Sequence, residues 1–214
     1  MPTKKPVQKA AGNRQAAYTS RNRAALIKSG QEVLADIGPG ATIEDLANHA
    51  QVSPTTIYKY FESKEVLFSE ALADIYQRWI IWAYNGKPPG QSFESTLDAG
   101  RKLFWVKQSH PLFAKILHNT LRDPSFVISA VRSGAESVFK NYAELGILEK
   151  KDFEQRFILW AYCYSGILTA VHLTEDLSPT QAEESLGIAL SIWGIGEAKA
   201  KKIISRKLVF APID

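Results

Sequence analysis

The 214-residue sequence contains only one cysteine, Cys163. No intramolecular disulfide can form, so a reducing cytoplasm is the expected setting. No apolar run is long enough to cross a bilayer, and the basic N-terminus lacks the apolar stretch of a signal peptide. These absences predict a cytoplasmic protein with no membrane segment.

Histidine is also scarce, and its positions do not suggest a reactive centre. His49, His110, His118 and His172 show no helical pairing with carboxylates, and the cysteine has no histidine near it in the sequence. Metal ligation and nucleophilic catalysis both need such groups close together. The sequence predicts no metal site, no cofactor and no catalytic residue, although a triad assembled from distant positions stays open.

Acidic residues are absent from the first 30 positions, which hold seven basic ones: Lys4, Lys5, Lys9, Arg14, Arg21, Arg23 and Lys28. Since the whole chain carries a net charge of +4, the remainder carries −3. Residues 1–20 also lack apolar periodicity, which predicts a disordered basic arm. Such an arm is either a solvated tail or a contact to DNA phosphates or the minor groove.

Two short helices joined by a turn are predicted between Thr42 and Phe61. Thr42 with Asp45 forms a capping box, and Ile43, Leu46, Ala47 and Ala50 give the first helix a buried stripe. Residues 51–53 make the turn. Ser53 caps the second helix, and Pro54 suits its first position.

The second helix, predicted from Pro54 to Phe61, has a polar outer surface. Ile57 and Phe61 anchor it inward, which leaves hydroxyls, aromatic rings and one cation on the other faces: Thr55, Thr56, Tyr58, Lys59 and Tyr60. A helix with this surface fits the major groove of DNA, which predicts a helix-turn-helix.

This region resembles the DNA-binding head of TetR-type transcriptional regulators. The match runs through Thr42, Ser53, Thr56, Tyr58, Tyr60, Phe61, Ser63 and Lys64, with a helix Asn22 to Ile37 before it and the sequence 65–68 after it. Two features depart from the family pattern. Gln51 replaces the usual turn glycine and is expected to adopt a left-handed conformation. Pro54 and Thr55 replace a basic residue and a glycine, so base preference does not carry over.

The resemblance implies a DNA-binding surface with divided roles. Thr55, Thr56 and Lys59 are the candidates for reading bases, and Thr42, Tyr58, Tyr60 and Lys64 are the candidates for phosphate contacts. Ser53 and Pro54 complete the surface by starting the helix.

The rest of the chain reads as helices without a clear alternating strand. Helical patterns cover roughly 92–109, 111–121, 124–145, 151–174 and 180–193, separated by proline and glycine breaks. The fold class is therefore all-α, with an expected arm (1–20), a helix-turn-helix domain (21–66) and a larger helical ligand-binding and dimerisation domain (67–214).

Two apolar seams near the C-terminus suggest a dimer interface. One seam consists of Phe153, Phe157, Trp160, Tyr164, Ile167 and Val171, and the other of Ala182, Leu186, Ala189, Leu190 and Trp193. Helices 151–174 and 180–193 either pair with the same helices of a second copy or complete the core of one chain. The TetR resemblance implies the homodimer.

The resemblance also implies a cavity for a small apolar or aromatic inducer among the helices from about 92 to 174. The candidate lining residues are Trp105, Phe113, His118, Trp160 and Tyr164. The predicted function is a homodimeric, ligand-responsive, non-enzymatic regulator, most simply a repressor released from a palindromic operator. The alternative is an all-α small-molecule-binding or enzymatic domain whose head makes protein contacts.

Overall fold

The computed structural model describes the backbone of residues 7–210 and 212 and the side chains of residues 16–123, 128–129, 132, 134–210 and 212. Within these residues the chain is helical and has no strand, which confirms the all-α prediction. The helices are α1 (Val7–Asp36), α2 (Ile43–His49), α3 (Pro54–Tyr58), α4 (Lys64–Ala83), α5 (Phe93–Phe104), α6 (Val106–Ser109), α7 (Pro111–Thr120), α8 (Pro124–Glu144), α9 (Phe153–His172), α10 (Pro179–Ala189) and α11 (Glu197–Ile204).

The chain divides into two compact units, residues 1–75 and residues 76–214. We expected the first unit to end at residue 66. The observed boundary lies later because the first half of α4 packs against α1. A Cβ at Gly30 would overlap Leu67, and the buried Gln31 amide donates hydrogen bonds to the Ala71 carbonyl and to Asp74 at 3.0 and 2.8 Å.

Helix α1 is longer than the sequence pattern indicated. We expected no regular structure before residue 20, but the helix begins at Val7. The segment contains four alanines and two glutamines, which are good helix formers, and extending an existing helix costs far less than nucleating one. The predicted arm at residues 1–6 lies outside the described residues.

The second unit is built around aromatic side chains from α8, α9 and a 3₁₀ turn, Leu190–Trp193, that follows α10. The Phe139 ring lies 4.3 Å from that of Trp160 and 5.4 Å from that of Trp193, centroid to centroid. The helix expected at 92–109 is broken at Trp105, whose ψ of 8° is not helical.

Both C-terminal seams contribute to this core. Except for the half-buried Phe153, their side chains are buried within the single chain. The opposite faces of the same helices carry exposed apolar side chains: Ile158, Leu159 and Tyr162 on α9, and Ile188 on α10. The sequence left open whether the two seams face a second copy or the core of one chain. In the structure the seams form part of the core.

None of the helices in the described part of the chain has the length and apolar character needed to span a membrane. The same part contains no group of three or more potential metal ligands.

Candidate functional site

The first helix of the helix-turn-helix begins with the predicted capping box. Thr42 Oγ1 accepts a hydrogen bond from the Asp45 amide at 3.1 Å, and the Thr42 amide donates to Asp45 Oδ2 at 2.7 Å. The Thr42 hydroxyl also donates to Asp45 Oδ2, at 2.7 Å. The bonds that this carboxyl accepts, first from the Thr42 backbone and then from the Thr42 side chain, lower its pKa. The box holds Thr42 at an exposed corner of the head.

The turn between the two helices contains the predicted left-handed residue. Gln51 has a φ of +55°, and the Val52 amide donates to the Ala47 carbonyl at 2.9 Å. A left-handed residue lets the chain reverse direction at the end of α2, and a non-glycine side chain makes this conformation only modestly less favourable. The departure from the family's glycine therefore preserves the turn.

Helix α3 starts as predicted but is shorter than expected. Ser53 Oγ accepts a hydrogen bond from the Thr56 amide at 3.2 Å, and Pro54 occupies the first turn. The helix ends at Tyr58 rather than Phe61. The last turn tightens because the Tyr60 and Phe61 amides both donate to the Ile57 carbonyl, at 2.9 and 3.0 Å.

The three base-reading candidates differ in how free their polar groups are. Thr55 and Lys59 are exposed, and Tyr58 beside them is 54% exposed. The Thr56 side chain is half-buried, and its hydroxyl lies 2.9 Å from that of Ser53. Thr55 and Lys59 are thus the more accessible pair, and Thr56 takes part in the cap.

Tyr60 is held in place by α1. Its hydroxyl accepts a hydrogen bond from Asn22 Nδ2 at 3.0 Å, and its side chain is half-buried. The hydroxyl keeps its own proton to donate, for example to a phosphate oxygen. Sequence reasoning missed the role of Asn22 because the two residues are 38 positions apart and no local pattern links them.

Lys64 joins the start of α4 to the segment that leads into α2. Its Nζ donates to the Ala41 carbonyl at 2.8 Å, which brings the lysine next to the residue preceding Thr42. An ammonium group has three donors, so Lys64 can also donate to an anion, although Glu65 Oε1 lies 3.8 Å from the same nitrogen. Two phosphate-contact candidates, Thr42 and Lys64, are therefore brought together by this bond.

The basic residues of α1 are not equivalent. Arg23 forms an ion pair with Glu70 and lies over the Phe61 ring at 4.7 Å, so it stabilises the head internally. Arg21 and Lys28 are exposed. From the sequence alone we expected all three residues to contact a polyanion.

Two of the five ligand candidates of the second unit are in contact with each other. Trp160 stacks on Tyr164 with ring centroids 5.3 Å apart, and the Tyr164 hydroxyl donates to the Gly100 carbonyl at 2.9 Å. Burial raises the pKa of the Tyr164 phenol, so it stays protonated. Phe113 packs 5.8 Å from Trp79.

The other two candidates are engaged in bonds to the protein. Trp105 Nε1 donates to Glu183 at 2.8 Å, and His118 Nδ1 lies 2.7 Å from the His172 carbonyl. By contrast, Trp79 Nε1 and Trp160 Nε1 are buried donors without a partner in the described part of the chain. Trp79 was not singled out from the sequence, where it reads as one more apolar position of α4.

The chain matches a family model and a set of solved structures. Residues 26–71 match the family model described as bacterial regulatory proteins, tetR family. No curated protein matches the chain.

Solved structures match most of the length. RolR in complex with resorcinol has a TM-score of 0.63 and 17% identity, covering 91% of this chain and 98% of that one. A TetR-like regulator from Rhodococcus sp. RHA1 has a TM-score of 0.55 and 19% identity, covering 83% and 96%. A TetR-family regulator from Streptomyces coelicolor A3 has a TM-score of 0.53 and 16% identity, covering 82% and 96%.

At these identities the structures show a shared fold, and the family model identifies the head. Residues 26–71 therefore form a head of the tetR family by sequence, and the chain as a whole shares the fold of these solved TetR-type regulators.

Proposed function

We propose that this protein is a homodimeric transcription regulator of the cytoplasm, most simply a repressor that a small aromatic inducer releases from a palindromic operator. The observation that carries the proposal is the exposed polar surface of α3, with Thr55, Tyr58 and Lys59 accessible on a capped helix. No catalytic step is part of it.

Each subunit inserts α3 into a major groove. Thr55 and Lys59 contact base edges, while Thr42, Tyr60 and Lys64 contact phosphates from positions fixed by the bonds to Asp45, Asn22 and Ala41. A twofold dimer reads two half-sites about 34 to 36 Å apart, or a multiple of this distance.

The dimer forms through the outer faces of α9 and α10. Ile158, Leu159, Tyr162 and Ile188 are 40%, 60%, 58% and 76% exposed in the single chain. The three α9 residues lie on one helical face, and α10 packs beside α9. An exposed apolar stripe on two neighbouring helices is typical of a surface that a second copy covers.

The inducer binds in the second unit beside Trp160 and Tyr164, whose rings stack with centroids 5.3 Å apart. Among the residues that the structure describes, the buried indole donor of Trp160 has no acceptor, and an unpaired buried donor costs about 1 to 3 kcal/mol. A small aromatic molecule with an acceptor oxygen would stack on these rings and accept such a bond. The resorcinol complex of RolR, a protein with the same fold, supports this ligand class.

Release from DNA works through α4, which begins in the first unit and ends in the second. A ligand that prefers one orientation of this helix changes the separation of the two reading heads. Only a difference in affinity between the two states achieves this, and such coupling amounts to about 1 to 3 kcal/mol.

The DNA proposal is tested by selecting bound sequences from random duplexes. We expect an inverted repeat, with Thr55→Ala relaxing the preference at one position per half-site and Lys59→Ala weakening binding at least tenfold. Lys87→Ala is the matched control, since Lys87 is also an exposed lysine but lies in the second unit. Recovery of no inverted repeat, or a complex insensitive to salt, would favour a head that makes protein contacts.

The dimer proposal is tested by the mass of the particle in solution. Leu159→Glu places a charge on the stripe and should yield monomers. Ile81→Glu is the control, because Ile81 is equally exposed, at 61% against 60%, but lies on α4. A monomeric wild-type protein at micromolar concentration would contradict the dimer.

The ligand proposal is tested with resorcinol as the probe. Titration into the DNA complex should release DNA, and Trp160→Phe should raise the concentration required, since it removes the indole donor and keeps an aromatic ring. Equal sensitivity of the two proteins would place the ligand elsewhere.

A further inference from the structure

The first side chains of α1 that the structure describes have no packing role in the head. All side chains from residue 16 to residue 21 are exposed, and the first buried side chain of this helix in the described range is that of Leu26. Residues 7–21, at about 1.5 Å per residue, extend about 22 Å. This is close to the length of six base pairs of DNA, at about 3.4 Å each.

A helix exposed on all sides gains nothing from apolar burial. Short isolated helices are marginal in water because nucleation is unfavourable, so such an extension is most ordered when it lies against a partner. The charge of the segment identifies the class of that partner. Between Val7 and Asn22 the sequence contains Lys9, Arg14 and Arg21 and no acidic residue, which fits a polyanion.

The base of the extension lies beside the DNA-reading surface. The hydrogen bond from Asn22 Nδ2 to the Tyr60 hydroxyl, at 3.0 Å, joins α1 to the residues that follow α3. Tyr18 is four positions before Asn22 and therefore on the same face of the helix, and its ring is 57% exposed. The face of α1 that bonds Tyr60 thus continues outward through an exposed aromatic residue.

We propose that residues 7–21 of α1 form a second DNA-contacting element, which lies along the duplex just outside the half-site read by α3. The inference rests on the proposed DNA-binding function and adds a contact to it. Arg21 binds a backbone phosphate, and Tyr18 lies against the sugar-phosphate edge. Because these groups contact the backbone, the element increases affinity without adding base preference.

Arg23 does not belong to this element, since it pairs with Glu70 inside the head. Lys28 does not belong to it either. Lys28 lies seven residues after Arg21, in the part of α1 that packs on the head, and its Nζ is 3.9 Å from Glu32. Arg21 and Lys28 are both exposed cations of the same helix, which makes them a matched pair for substitution.

The test uses two duplexes that carry the selected inverted repeat. One ends at the repeat, and the other has eight further base pairs of arbitrary sequence on each side. The full-length protein should bind the longer duplex at least tenfold more tightly. Arg21→Gln should remove most of this advantage and lower the slope of log K against log salt by about one per subunit.

Tyr18→Ala should also reduce the advantage, whereas Lys28→Gln should leave it unchanged. Circular dichroism confirms that each variant is folded, and binding to the short duplex confirms that α3 still reads the repeat. Equal affinity of the full-length protein for both duplexes would overturn the inference, as would the same loss from Lys28→Gln as from Arg21→Gln. In either case the proposed regulator function would stand, because it depends on recovery of the repeat itself.

Discussion

The two units of this protein use their charged groups in opposite ways. In the first unit, Lys59 and Arg21 are exposed on the surface that carries the DNA-binding candidates. In the second unit, Arg101 is only 2% exposed and donates to Glu183 at 2.6 Å and to Asp98 at 3.0 Å. Lys102, next to it in the sequence, is 1% exposed.

The surroundings of Lys102 illustrate how the second unit encloses charge. Its ammonium donates to the Ala83 carbonyl at 2.8 Å and to Asn85 Oδ1 at 3.0 Å, and it lies 4.9 Å from the centre of the Trp82 ring. Burial lowers the pKa of this lysine. The charge stabilises the C-terminal end of α4, where the carbonyl groups of a helix lack partners.

The difference shows how one chain can present two kinds of surface. Exposed cations suit a polyanion, because their binding releases the counterions that surround the charges of the polyanion. The outer face of α9 keeps Leu159 and Tyr162 exposed and suits an apolar partner. Substitutions in the two units test this difference.

The largest effect is expected from Arg101→Met. The substitution leaves Glu183 near the protein interior without its cation, which typically costs about 3 to 5 kcal/mol, while Asp98 keeps its ion pair with Arg206 at 3.1 Å. In a domain of this size the melting temperature should fall by about 10 °C. The control is Lys107→Met, which removes an exposed pair with Glu175 and should cost less than about 1 kcal/mol. Equal losses would mean that Arg101 is not the buried centre described above.

A smaller loss is expected from Gly30→Ala in the first unit. The added Cβ overlaps Leu67, which is fully buried, so the substitution overpacks the contact between α1 and α4. Overpacking costs about 1 to 3 kcal/mol, and the helix propensity of alanine returns about 1 kcal/mol. Gly166→Ala in α9 is the control, since open space surrounds that position and the variant should be as stable as the wild type or more so. Chemical denaturation measures both; an unchanged midpoint for Gly30→Ala would contradict the close packing.

Two capping boxes, one in each unit, allow a direct comparison of the units. Thr42→Ala and Ser178→Ala each remove the side-chain acceptor of a box, so each should lower the stability of its unit by about 1 kcal/mol. Only Thr42→Ala should also weaken DNA binding, because only this threonine belongs to the proposed interface. Equal DNA affinity of the two variants would remove Thr42 from that interface.

The smallest effect near neutral pH is expected from His172. Burial lowers its pKa below the ordinary value of 6.5, and its Nε2 lies 2.8 Å from the Leu103 carbonyl. As the pH falls below 6.5, the unfolded chain binds a proton more readily than the folded one. The stability contributed by the neutral ring is therefore present above that pH and is lost on acidification.

His172→Gln keeps a donor for Leu103 but does not titrate. Thermal unfolding between pH 7.5 and pH 5 should show a weaker dependence on pH for the variant than for the wild type. Some dependence should persist, since burial also lowers the pKa of His110. Identical pH profiles for the two proteins would show that His172 does not contribute.

Local sequence signals predicted the helix-turn-helix well. The box at Thr42, the left-handed Gln51 and the cap at Ser53 depend on residues within three positions of one another, and the structure has all three. The length of α3 was overestimated because the apolar spacing of Ile57 and Phe61 continues through a tight turn as well as through a helix.

Contacts between distant residues were not predictable in this way. The bond from Asn22 to Tyr60 and the pair of Arg23 with Glu70 join residues 38 and 47 positions apart. The apolar seam of α9 was correctly found, but periodicity cannot tell whether such a seam faces the core or a second copy. Its burial against Phe139 and Trp193 decided that question.

The sequence by itself determined the helices, their caps and the turn, because these depend on interactions between near neighbours in the chain. The tertiary structure alone decided which cations are exposed, which aromatic donors are left unpaired and which face of α9 is free. These properties depend on what surrounds a side chain in space, and residues far apart in the sequence provide those surroundings.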